Sequence, residues 1–85
     1  MDKTYKLPLV LDPQPEGGWT ITCPVVPELI TEADTWDEVG PNVSDALQAV
    51  VEIYEHLHKP MPDALNPINI EAPFLTETIV HLEAA

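Results

Sequence analysis

The sequence predicts a small α+β domain of order β-β-β-α-β, a mostly antiparallel sheet with one amphipathic helix on one face. Residues 4–12 and 19–23 alternate apolar and polar side chains, the period of a half-buried strand. Residues 39–57 instead repeat apolar side chains at threes and fours, the period of a helix. Prolines and glycines gather between these runs, at residues 13–18, 24–27 and 60–73, with Pro8, Gly40 and Pro41 as exceptions.

In the first strand, Tyr5, Leu7, Leu9 and Leu11 share one face, while Lys6, Pro8, Val10 and Asp12 share the other. Pro8 lacks an N–H and weakens continuous pairing. Residues 13–18, PQPEGG, form a turn in which Gly17 and Gly18 supply positive φ. Trp19, Ile21 and Cys23 then line one face of a second strand, opposite Thr20 and Thr22. Pro24-Val-Val-Pro27 reverses the chain, and residues 28–34 return as a third strand. Its facing stays open, because Leu29 and Ile30 are adjacent and both apolar.

Thr35-Trp-Asp-Glu38 fits a capping box at the start of the helix, with Asp37 and Glu38 at the positive end of its dipole. Val39, Val43, Ala46, Leu47, Val50, Val51, Tyr54 and Leu57 form the core-facing stripe; Asp45, Gln48, Glu52 and Glu55 face solvent. Pro41 cannot bond the carbonyl of Asp37, which predicts a kink or a restart near Asn42. Pro60 and Pro62 end the helix, and residues 76–83, TETIVHLE, are expected as a fourth strand. The expected organisation is a core over residues 1–62, with residues 63–85 completing the same domain.

Eighty-five residues make one domain, which buries about 60–65% of its unfolded surface. A hydrophobic content of 45% supports a core, so a net charge of −12 is a property of the surface. Lys3, Lys6 and Lys59 are the only cationic side chains apart from histidine, too few for a nucleic-acid footprint. A basic protein suits such a surface better, and plain solubility is the competing explanation. One cysteine excludes an internal disulfide. Residues 1–6 are polar, unlike a secretory leader, and no apolar run reaches membrane-span length. The expected compartment is the cytoplasm.

Glu16-Gly-Gly-Trp19, Pro24-Val-Val-Pro27, Thr31-Glu-Ala-Asp-Thr35 and Asp37-Glu38, followed by Asn42, Val43 and Ala46, resemble the N-terminal domain of the HicB antitoxin family. The resemblance covers roughly residues 5–62. It implies a partial ribonuclease-H-like fold without catalysis, and a partner of the HicA type, a small basic toxin that cleaves messenger RNA. Ala33 departs from the family's usual glycine, so a positive φ there is either absent or costly. Gly40-Pro41 departs from a helix-favouring pair. Many members also carry a C-terminal DNA-binding domain. The stretch after Pro62 is too short for one and has no lysine or arginine, so operator binding by this chain alone is not expected.

Reactive chemistry finds little support. Two-metal nuclease chemistry needs converging acids, whereas Asp12, Glu32 and Asp34 stand at strand ends. His56 and His58 diverge around a helix and His81 is remote, so no metal or cofactor site is expected. Cys23 reads as a small core residue and not as a nucleophile. Trp36 has two readings, the first knob of the core stripe or a partner anchor, with the core preferred. The expected function is that of a non-enzymatic antitoxin which occludes its toxin. Its contacts are placed at Glu32, Asp34, Trp36, Asp37 and Glu38 and along the tail after Pro60. The competing class is a stand-alone HicB-like module, an oligomeric scaffold or small-ligand binder using exposed strand edges. A degenerate nuclease would instead need metal-dependent RNA cleavage lost with Asp12 or Asp34.

Overall fold

The computed structural model describes residues 3–84, with the backbone alone at Ala64. Three short strands, β1 (Val10–Pro13), β2 (Trp19–Thr22) and β3 (Ile30–Ala33), form an antiparallel sheet in the order β1-β2-β3. A single helix, α1 (Trp36–His56), follows, and then a 3-10 turn, Asp63–Leu65. The α+β class and the three-strand meander are as expected.

Strand β1 begins later than its alternation. Residues 4–9 keep the strand-like rhythm, with Tyr5, Leu7 and Leu9 half-buried between exposed neighbours, but they pair with no strand. The reason lies in β2, which pairs Thr22 with Val10 and then turns away at Cys23 and Pro24. A ladder is no longer than its shorter member. The one bridge in this stretch is to the tail, where the N–H of Ile68 donates to the Thr4 carbonyl at 2.8 Å.

Gly17 and Gly18 adopt φ +103° and +76° in the β1–β2 turn. Gly18 carries a second constraint, since a Cβ there would stand 2.4 Å from the carbonyl oxygen of Ala33 on β3. After β2 the chain makes two consecutive turns, with the N–H of Val26 bonding Cys23 and that of Leu29 bonding Val26. The prolines stay outside, while Val26 and Leu29 are fully buried. That settles the facing of β3: Leu29 and Ala33 point inward and Ile30 outward, 65% exposed. Ala33 does not adopt a positive φ; among the described non-glycine residues, only His58 does.

The core has two parts. Ile21, Ala33 and Val39 join the sheet to the first turns of α1. Cys23, Val26, Leu29, Val50 and Leu65 join the double turn to the middle of the helix and the 3-10 turn. Each fully buried aliphatic side chain contributes about 1.5–3 kcal/mol, enough to set the helix's rotation about its axis. The stripe largely holds: Val39 and Val50 are buried, with Val43, Ala46, Leu47, Val51 and Tyr54 half-buried. Leu57 departs from it at 56% exposure, because it is the C-cap, where the chain leaves the helical path.

No restart occurs near Asn42; α1 runs unbroken through Pro41. The bond that Pro41 withholds belongs to Asp37, an exposed residue whose carbonyl can meet water. The helix ends in a Schellman motif, with His58 N–H bonding Glu55 and Lys59 N–H bonding Tyr54. His58 occupies the left-handed position, φ 54°, where glycine is usual.

The fourth strand expected over residues 76–83 does not form. The segment is exposed throughout and takes no ladder partner. An unpaired strand recovers none of its ordering entropy, and the tail's tie here is one hydrogen bond, Lys6 Nζ to the Leu75 carbonyl at 2.7 Å. Leu65, in a stretch that the sequence marks only as loop, is 3% exposed and is the tail's true anchor.

Candidate functional site

The corner where β3 hands over to α1 collects the residues expected to meet a partner. The turn presents two backbone N–H groups in quick succession, and one side chain satisfies both. Glu38 Oε1 accepts from the N–H of Asp34 at 2.9 Å and of Thr35 at 3.1 Å. The Glu38 N–H in turn donates to the Thr35 carbonyl at 3.2 Å. Glu38 is thus fastened into the cap, the reciprocal half of a capping box. Asn42 Nδ2 reaches back to the Glu32 carbonyl at 2.8 Å and ties the helix to β3.

The five expected contact residues therefore divide by what they touch. Glu32 Oε2 accepts from Gln14 Nε2 at 3.0 Å, and the same amide donates to Thr20 Oγ1 at 2.8 Å. Glu32 and Glu38 thus hold the corner's shape. Asp34 and Asp37 are exposed, and no described residue donates a side-chain hydrogen bond to them. Trp36 is 48% exposed and lies outside both core clusters, so the core-knob reading is overturned. Its ring meets that of half-buried Trp19 in a T-shaped contact, with centroids 6.3 Å apart at 84°. Val39, three residues further on, is the first buried position of the helix instead.

Elsewhere two of the three lysines are engaged by groups other than carboxylates. Lys6 holds the tail and Lys59 sits over the Tyr54 ring, 5.2 Å from its centroid. The field around the molecule stays negative. The Tyr54 hydroxyl donates to the Glu28 carboxylate, which pushes the phenol above its ordinary range because the bond and the nearby charge favour the protonated form. Neither the bond from Asn42 to Glu32 nor this pair was visible in the sequence; Tyr54 and Glu28 are 26 residues apart and no periodicity links them.

The tail offers a different surface. Phe74, Leu75, Ile79, Val80 and Leu82 are all exposed, Leu82 by 82%. A shallow cleft separates it from residues 6–8, lined by Lys6, Leu7, Pro8, Leu75, Thr76 and Glu77. Cys23 is buried. His56 ends α1, with His58 just beyond it and His81 in the tail, all exposed. Among the described residues no group of three His, Cys, Asp or Glu is placed to hold a metal ion. No described helix is long and apolar enough to cross a membrane.

No family model matches the chain. It is 30% identical over 73 residues to Antitoxin HicB 1 of Photorhabdus laumondii, an alignment covering 84% of this chain and 47% of that protein. It is 26% identical over 58 residues to a UPF0150 protein of Synechocystis, covering 68% of this chain and 73% of that one. The chain thus spans about half the length of the Photorhabdus protein. With the double-glycine turn, the proline-bracketed reversal and the capped helix in place, these likenesses have one meaning: the chain belongs to the HicB family.

Proposed function

We propose that this domain is the antitoxin of a type II toxin–antitoxin pair. In this reading it binds a small basic HicA-type, mRNA-cleaving toxin and covers the surface with which that toxin meets RNA. The observation that carries the reading is the 30% identity to a HicB antitoxin over 84% of the chain. The net charge of −12 supports it, since opposite fields speed encounter and favour a cationic partner over nucleic acid. The domain acts by occlusion and not by catalysis, in the cytoplasm where messenger RNA is found. Its partial ribonuclease-H-like outline is a scaffold, with residues 1–62 and 63–85 working as one domain.

The contact surface in this proposal is the β3–α1 corner, Glu32, Asp34, Trp36, Asp37 and Glu38, together with the tail after Pro60. Co-expression with a HicA-type toxin, a short basic chain, tests it: growth arrest is relieved and the two proteins copurify. Persistent arrest without copurification would sink the antitoxin reading. Asp34→Lys combined with Asp37→Lys weakens binding; unchanged affinity would move the contact elsewhere. Glu38 is left out of that pair because reversing its charge would also break the cap.

A second reading, a stand-alone oligomeric scaffold or small-ligand module, is favoured by exposed apolar groups at the open edge strand β3 and in the tail. Ile30 on β3 is 65% exposed, and Leu75 in the tail is 80% exposed. The antitoxin reading also allows a homo-oligomer, so the toxin separates the two: the scaffold neither binds it nor relieves its growth arrest.

A further inference from the structure

We propose that residues 74–83 of the tail bind the cationic protein partner as an added β-strand, with the uncharged face of that strand buried on the partner. The proposal rests on the antitoxin reading and specifies how the tail would grip.

From Pro73 to Ala84 the chain runs without turn or bend and is exposed throughout. The segment stands away from the body, and the radius of gyration, 14.7 Å, exceeds the about 12 Å of a compact chain this long. Its root is fixed. Lys6 Nζ donates to the Leu75 carbonyl, and the cleft beside Leu7 and Pro8 reaches as far as Glu77. Prolines crowd the stretch before it, at 60, 62, 67 and 73, but residues 74–83 contain neither proline nor glycine. Every residue there keeps the N–H that a ladder needs.

The two faces of this segment differ. Phe74, Thr76, Thr78, Val80 and Leu82 alternate onto one face, which carries no charge. Glu77, His81 and Glu83 all fall on the other, beside Leu75 and Ile79. Strand addition answers both features: the backbone pairs with an open sheet edge while alternate side chains are buried. A cluster of large apolar groups left in water marks an interaction site.

Charge selects the occupant. No lysine or arginine follows Lys59, while Glu71, Glu77 and Glu83 accompany the apolar residues. A second copy brings the same net charge of −12 and three lysines, two of them already engaged. Such a copy repels the segment, and charge on an unpaired strand discourages pairing between copies. A cationic protein attracts it.

The test titrates a HicA-type toxin into the full chain and into two variants that put one negative charge on opposite faces, Val80→Asp and His81→Asp. Both positions are exposed, so the melting temperature should stay unchanged. Val80→Asp should lose about tenfold or more in affinity, and His81→Asp should stay within about threefold. On binding, amide exchange should slow at alternate residues of 74–83, the pattern of a strand paired along one edge. With the wild type binding, a smaller loss at Val80, an equal loss at His81 or unslowed amides would overturn strand addition and leave the antitoxin reading standing. An oligomer of the chain alone that Val80→Asp dissociates would make a second copy the occupant and overturn the cationic one. A wild-type chain that does not bind the toxin removes both.

Discussion

Strand β3 and the tail segment 76–83 reverse what their compositions promise. β3 reads Ile-Thr-Glu-Ala, half of it poor strand formers, yet it pairs with β2 at all four of its positions. The tail reads Thr-Glu-Thr-Ile-Val-His-Leu-Glu, as rich in β-branched residues and with a smaller share of poor strand formers, and pairs with no described strand. The difference is what lies alongside. β3 has β2 on one edge and α1 packed against it, with Ala33 small enough to seat Val39. The tail runs past residues 6–8, where Pro8 lacks an N–H and the neighbouring ladder has already ended. Strand propensity measures fit to a surface that must already exist. Without one, ordering each residue costs about 1–2 kcal/mol of backbone entropy and recovers little.

Leu65 marks the border between packed body and tail, and Leu65→Ala should have the largest effect. It is buried against Val26, Leu29 and Val50, so truncation should cost about 3 kcal/mol, read as a lower urea midpoint at unchanged slope. A loss below about 1 kcal/mol would assign residue 65 to the tail. Gly18→Ala comes next, at about 2–3 kcal/mol, because it adds a clash with the Ala33 carbonyl to the positive-φ strain. Gly17→Ala carries the strain alone and should cost about 1–2 kcal/mol, so the difference between the pair measures the close approach of β3.

His58→Gly should stabilise the protein by about 1 kcal/mol, since the Schellman position wants a residue without a Cβ. Ending the chain at residue 69 should change stability by less than about 0.5 kcal/mol, as every later described residue is exposed. A larger loss would mean that the tail is structurally part of the body, and the contrast would fail.

Tyr54 gives the smallest effect. Its phenol is held above the usual value of about 10, so whatever the Glu28 bond contributes is present below that pH and is lost as pH rises through the raised value. The phenolate absorbance should show a late phase that Tyr54→Phe abolishes and Glu28→Gln moves back toward the ordinary range.

The β3–α1 corner was partly legible. Thr35, Asp37 and Glu38 announce a helix start through local chemistry, and the cap forms there. Trp36 was misread because the apolar period extends one residue too far upstream. A hydrophobic side chain at the first helical position can point to either side, and the cap sets which. Glu32 looked like a surface acid, yet it takes the amide of Gln14 across the sheet, a pairing that depends on register alone. Gly40-Pro41 was marked as a departure from a helix-favouring pair, yet the helix runs unbroken through it, and a residue without a Cβ before Pro41 eases the crowding by its ring.

By itself, the amino-acid order determined the meander, its turns, the capped helix and the inward stripe, because each depends on contacts within a few positions along the chain. The tertiary structure decided where β1 starts, which way Leu29 and Ile30 face, that Leu65 is core, and that the tail stays unpaired. Those outcomes depend on which surfaces meet across long separations, and a ladder or a buried pocket exists only where both partners arrive.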